Sequence, residues 1–166
     1  MSEMLKSATL VAATLTTGLI AGLFYAYACS VMLGLGKTDD RTFIRAMQWI
    51  NVKILNGWFL IAFMGAPVLI VAAGVLHLDG NGRSALPWIV AALVLYGVTL
   101  GATFAVNVPL NDRLAAAGDP DGIADLAAVR EAFEATWNRW NIVRAVSSTG
   151  AFGCLVWALV LHGGAA

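Results

Sequence analysis

Residues 86–113 run LPWIVAALVLYGVTLGATFAVNVPLNDR, and how this stretch is read decides the fold. From Leu86 to Val106 it presents 21 residues without a charge. An apolar helix needs about 20 such residues to cross a hydrocarbon core of about 30 Å. The run then closes on Asn107-Val-Pro-Leu-Asn-Asp-Arg113, which brings two asparagines, a proline and two opposite charges. The stretch therefore reads as a membrane span with a polar mouth. Pro109 lacks a backbone donor and frees the carbonyl four residues earlier, that of Ala105.

Composition extends this reading to the whole chain. Of its 166 residues, 60% are hydrophobic and 12% charged, about half the charge of a soluble domain. Net charge is zero and no basic run occurs, which excludes a nucleic-acid footprint. Cys29 and Cys154 fit neither a disulfide framework nor a zinc spacing. The expected fold is all-α, a four-transmembrane-helix bundle with cytoplasmic helical extensions, in one integral membrane domain over residues 1–166.

The other spans fall at about 8–35, 54–78 and 140–161, with the third at 86–108. Ala26-Tyr-Ala28 imitates a signal-peptidase site. Apolar residues continue past it to Leu35, so the stretch reads as a true first span. At 28 residues it is about 42 Å of helix and must tilt or protrude. Gly18 and Gly22 form a small-xxx-small step, as do Gly97 and Gly101 in the third span, and such steps offer contacts for a homo-oligomer. Tyr25 and Cys29 continue the Gly18–Gly22 face at helical spacing, so this face is expected to point into the bundle.

Asp39 stands ready to cap the next helix. Phe43 to Asn56 reads as an amphipathic lead-in to the second span, and Pro67 should kink that span. Asp119-Pro-Asp-Gly122 breaks the chain. From Ile123 an apolar face recurs through Leu126, Val129, Phe133, Trp137, Trp140 and Arg144.

Loop charges set the topology. The 1–2 and 3–4 connections hold Lys37, Arg41, Arg45, Lys53, Arg113, Arg130, Arg139 and Arg144, against Lys6 and Arg83 on the other side. By the positive-inside rule both longer segments lie in the cytoplasm and both termini outside it, in the cell (inner) membrane. Tyr25, Cys29, Asn51, Asn56, Asn107, Asn111, Asn138, Asn141 and Arg144 then all come to one membrane face. Arg144 and Asn107 fall at similar depth. Each group also has a plainer reading: Arg144 can snorkel to headgroups, the asparagines can bridge helices, and Trp137 and Trp140 can form an interfacial belt. At the opposite face His77 and His162, with Asp79, offer ligands for a metal or haem. They form no tight motif, and no cofactor is indicated.

The Asn107-x-Pro109-x-Asn111 motif, the Trp137…Trp140-Asn141-x-x-Arg144 motif and the beginnings Gly22-Leu-Phe-Tyr25 and Ser30-Val-Met32 resemble the anthrone oxygenase-like family of small four-span membrane proteins. The resemblance covers nearly the whole chain. Fungal members oxidise anthrone intermediates of aromatic polyketides to anthraquinones with dioxygen. It implies an oxidoreductase acting on a hydrophobic, anthrone- or quinone-like small molecule. Such chemistry needs a flat apolar slot, a base and donors at a developing oxyanion. Arg144 with Asn107, Asn111 or Asn141 could supply the donors. Trp137, Trp140 and Tyr25 could supply aromatic walls, with Asn51 beside them, and Asp112 is the nearest carboxylate. The competing reading is a non-catalytic membrane module that binds lipid, quinone or haem, or assembles with a larger complex. Transport fits poorly, since no acidic residue lies inside a span.

Overall fold

The computed structural model describes residues 3–78 and 81–165, and these are helical, without a strand among them. Four helices are long and apolar enough to cross a membrane: α1 (Glu3–Leu35), α3 (Gly57–Leu76), α4 (Leu86–Ala116) and α5, which starts at Leu126. A shorter helix, α2 (Asp40–Lys53), joins α1 to α3. The chain is an all-α bundle of multi-pass membrane type. α1 packs on α3 and α5, and α4 packs on the same two, so consecutive helices close a square. α5 runs unbroken for 40 residues, Leu126–Ala165, about 60 Å and twice a bilayer core. Its first turns stand beyond the bundle, beside α2 and the end of α4.

Local chemistry sets the boundaries, and two differ from expectation. Residues 43–56 do not lead straight into the second span. Asp39 caps α2 by accepting from Thr42 N–H, the chain breaks at Ile54–Asn56, and Asn56 caps α3 by accepting from Phe59 N–H. Two caps within twenty residues make two helices. The last helix begins at Leu126 rather than Ile123, because Asp125 accepts from Ala128 N–H.

Nor does the helix that carries the third span stop at Pro109. A π turn over Thr103–Asn107, closed by Val108 N–H to the Thr103 carbonyl, carries the helix on to Ala116. Proline crowds the carbonyl one turn back, and a widened turn relieves that crowding. α1 carries a second π turn, Tyr27–Val31, closed by Met32 N–H to the Tyr27 carbonyl. It has no proline behind it. Pro67 in α3 is handled differently. The carbonyl it frees, that of Phe63, accepts a 2.7 Å hydrogen bond from the buried Tyr96 hydroxyl of α4.

The amphipathic α2 folds back over the protruding helix ends. Phe43, Ile44 and Met47 are fully buried against Leu110, Leu114, Phe133 and Trp137. Its polar face is clamped too: Arg41 and Arg45 pair with Asp121, and Gln48 donates to the Leu114 and Gly118 carbonyls. Gly118 has φ +82°, a left-handed turn that glycine adopts without strain. The Arg45 and Arg41 guanidiniums hold the Asp121 carboxyl below the usual carboxylate range. A depressed carboxylate stabilises the fold above its unfolded pKa and loses that effect as pH falls through the folded value. Hydrogen-exchange protection of α2 should therefore hold from neutral pH down to the ordinary carboxylate pKa and fall progressively below it, towards the lowered folded value. Asp121→Asn should lower that protection at neutral pH, and added salt should do the same.

The glycine steps are used unevenly. Gly18 lies against Phe152, where a Cβ would come within 2.9 Å of the ring. Gly22, Gly97 and Gly101 have open space beside them. The face carrying Gly22, Tyr25 and Cys29 points out of the bundle, contrary to its expected direction.

Candidate functional site

At the end of the bundle covered by α2 lies a cavity of about 480 Å³, within the size range of small-molecule sites. Phe24 and Tyr27 of α1, Phe59 and Phe63 of α3, and Phe104 of α4 give it aromatic walls. Trp137 and Arg144 of α5 also face it, together with Asn51 of α2 and Asn107 and Asn111 of α4. Both π turns border it, through Tyr27 and through Thr103 to Asn107. Each adds a residue to its helix and so resets which side chains face inward. Around the opening, Val52, Leu55, Leu60 and Met64 are exposed apolar side chains.

Arg144 dominates the electrostatics. It is only 6% exposed. Its guanidinium lies 4.3 Å from the Phe24 ring centroid and 5.0 Å from that of Trp137. Nη2 donates to Asn141 Oδ1 at 2.9 Å, while Nε has no partner. Among the described residues no carboxylate pairs with it. A buried cation is ordinarily neutralised by an ion pair, so this charge is offset by dipoles and aromatic faces alone.

A donor and acceptor census divides the asparagines. Asn141 Nδ2 donates to the Phe24 carbonyl and its Oδ1 holds Arg144, so both ends are spent. It anchors Arg144 from behind and does not line the cavity. Asn107 Nδ2 donates to the Trp137 carbonyl, leaving its buried Oδ1 unpartnered. Asn111 Oδ1 accepts from Trp137 Nε1–H at 2.9 Å, which fixes the indole plane. Asn51 Nδ2 is buried without a partner. Three free polar atoms therefore belong to side chains lining one cavity: donors on Arg144 and Asn51, and an acceptor on Asn107. Buried groups left open in this way call for a ligand or water.

Of the aromatic walls expected from sequence, Trp137 is in place. Tyr25 and Trp140 are not: they are 62% and 39% exposed and do not line the cavity. The reason is helical phase. The buried face of α1 steps through Leu10, Ala13, Thr17, Ile20 and Phe24, and its continuation is Tyr27 rather than Tyr25. On α5 the inward position between Trp137 and Arg144 is taken by Asn141, one residue past Trp140. Extending the Leu10–Phe24 rhythm would have found Tyr27. Asp112 does line the opening, on the exposed side of α4. Among the described residues it forms no ion pair with Arg113, as expected for neighbours that point apart on a helix.

At the opposite end His77 and His162 meet, with His77 Nε2 and His162 Nδ1 3.3 Å apart. His77 Nδ1 is 2.7 Å from the Ala73 carbonyl and must donate to it, so its Nε2 accepts from His162. His162 Nε2 lies 2.8 Å from the Ser7 hydroxyl. Each ring nitrogen that could ligate a metal is thus engaged within the protein. No metal-binding cluster occurs among the described residues, and Asp79 lies outside them. The pair ties α1, the end of α3 and α5 together.

Comparison with known proteins adds one finding. A family model described as anthrone oxygenase matches residues 58–154, more than half of the chain. The matched stretch contains Asn107, Asn111, Trp137, Asn141 and Arg144, and excludes α1 and α2. No curated protein and no solved structure matches the chain.

Proposed function

The chain belongs to the anthrone oxygenase family, and from that premise we propose that it is a membrane-embedded oxidoreductase acting on a hydrophobic, anthrone- or quinone-like aromatic. The observation that carries this is the uncompensated Arg144 at an aromatic-walled cavity. Such a site is short of one negative charge, and an anthrone supplies it. Loss of a doubly benzylic proton moves the C–H electron pair into the ring system and places the charge on the carbonyl oxygen. The resulting anion is extended, flat and phenolate-like. Dioxygen oxidises it: one oxygen atom becomes the new quinone carbonyl and the other leaves as water.

Each residue has a part in this reading. Arg144 stabilises the oxyanion and Asn141 holds Arg144 in place. Asn51 and Asn111 offer further donors, while Asn107 Oδ1 receives a hydroxyl. Phe24, Phe59 and Trp137 sandwich the rings. Preorganised donors in a water-poor site act on charge that grows in the transition state, where they are worth most. Asp112, at the opening, is placed to take the released proton to water. The apolar rim of Val52, Leu55, Leu60 and Met64 fits a substrate that arrives dissolved in the bilayer. By the loop charges this cavity faces the cytoplasm, with both termini outside it.

The test is turnover in nanodiscs, following anthrone, anthraquinone and dioxygen together. The expected result is one anthraquinone formed per dioxygen consumed. Saturable binding of anthrone with no turnover would replace this reading with that of a non-catalytic carrier or binding module.

A further inference from the structure

Tyr27 enters none of the motifs that carry the family resemblance and lies outside the residues matched by the family model. Its phenol nevertheless lines the cavity, and its ring sits 5.9 Å from that of Trp137, centroid to centroid. Arg144 lies over the same indole, so phenol and guanidinium flank one side chain. Among the described residues the half-buried Tyr27 hydroxyl has no hydrogen-bond partner, so it is free to donate to a ligand. Tyr27 sits there as the next step of the buried Leu10–Phe24 face of α1, and its carbonyl, not its side chain, closes the π turn that follows.

We propose that the Tyr27 hydroxyl is a catalytic hydrogen-bond donor, which binds the substrate oxygen on which negative charge develops and shares that oxyanion with Arg144. This rests on the reading of the cavity as an oxyanion-forming site. Three features argue for the role. Of the hydroxyls lining the cavity among the described residues, that of Thr103 already donates to the Thr99 carbonyl, which leaves Tyr27 to donate to a ligand. A neutral phenol donates to an oxyanion without adding a second charge to a buried site. A donor beside the cation gives the oxyanion two partners from two helices, which fixes its position as a point charge alone does not. The proton lost from the substrate carbon is not taken by Tyr27 in this scheme. It leaves towards Asp112 and water.

The test uses 2-naphthol, a flat hydroxyaromatic whose absorption changes when it ionises, bound to the full-length protein in nanodiscs. Wild type should lower the ionisation midpoint of the bound naphthol relative to naphthol in empty nanodiscs. Tyr27→Phe should raise it again by about one to two pH units, the worth of one hydrogen bond to a charged group. Neutral naphthol should bind the variant within about threefold of wild type, since the aromatic walls are intact. In turnover, Tyr27→Phe should lower kcat about 10²-fold with little change in KM. The hydroxyl has no protein partner, so the variant should melt with wild type, and the naphthol midpoint is read only on folded protein. A wild-type midpoint in Tyr27→Phe would overturn the role of Tyr27 and leave the cavity's assignment standing. A wild-type protein that leaves bound naphthol's midpoint unshifted, or binds none, would overturn both. A rise in KM with kcat unchanged would make Tyr27 a ground-state contact and remove it from catalysis.

Discussion

Replacing Arg144 with leucine should abolish turnover and, in the same variant, make the protein more stable. The two effects have one cause. Arg144 is buried without a carboxylate among the described residues, and desolvating an ion inside a protein costs on the order of several kcal/mol. Leucine removes that cost. It also strands Asn141 Oδ1, which now accepts from Nη2, at a loss of about 1 kcal/mol. The contacts with the Phe24 and Trp137 rings are lost too, at about 0.5–1 kcal/mol each, so the balance is a gain of about 1 kcal/mol, or about 2–4 °C in melting temperature for a chain of this size. Activity moves the other way. Removing a preorganised donor to a growing oxyanion lowers kcat by about 10²–10³-fold, and here the charge is lost as well. Arg144→Lys keeps the charge and loses the planar fork that contacts Asn141, Phe24 and Trp137, so it should fall between the two. Thermal melts and turnover on the same nanodisc preparations decide the matter. A leucine variant that turns over normally removes Arg144 from the mechanism, and one that melts well below wild type makes it a structural residue.

The largest loss of stability should follow Tyr96→Phe. Pro67 leaves the Phe63 carbonyl without its helical donor, and the Tyr96 hydroxyl fills that vacancy from the next helix. In the bundle interior no water stands in for it. Removing the hydroxyl leaves a buried acceptor open, at about 1–3 kcal/mol. The diagnostic is the second substitution. Pro67→Ala restores an N–H within α3 that can reach Phe63, so Pro67→Ala/Tyr96→Phe should recover most of what Tyr96→Phe alone loses. The recovery appears as non-additivity in a four-protein cycle of unfolding free energies. Additive effects would mean that the two residues act separately. Because Phe63 also lines the cavity, Tyr96→Phe should weaken binding of anthrone along with stability.

The span pattern was legible in the sequence because membrane helices follow one rule, long apolar runs, and breaks in that rule stand out. Asn107 and Arg144 stood out for the same reason: polar groups beside spans demand partners. Their shared cavity follows from topology and residue counting. What the sequence did not disclose depends on helical phase. Tyr25 and Tyr27 differ by two residues, a rotation of about 200°, and anchoring the face on Gly18 and Gly22 chose the wrong one. Trp140 and Asn141 compete for a single inward slot, and hydrophobicity favours the tryptophan. The slot goes to the asparagine, which bonds to the Phe24 carbonyl across the helix pair. The independence of α2 was hidden by an amphipathic pattern that suits a lead-in as well as a separate helix. The caps at Asp39 and Asn56, read together, were the available signal.

The two π turns carry a consequence for how this chain can change. A π turn amounts to one residue inserted into a regular helix, so each of α1 and α4 is two α-helical halves out of register by about 100°. The halves towards the histidines keep one frame and pack the bundle. The halves beyond the turns keep another: in α4 that half dresses the cavity with Asn111, while in α1 the cavity side chains Phe24 and Tyr27 come ahead of the shift. A one-residue deletion within 103–107 would leave the first half of α4 undisturbed and swing Asn111 and Leu114 about a quarter-turn round the helix axis. Indole anchor and α2 contacts would be lost together, with no core residue replaced. For α4 the site is thus encoded less by which residues are present than by the count of residues between the bundle and the mouth.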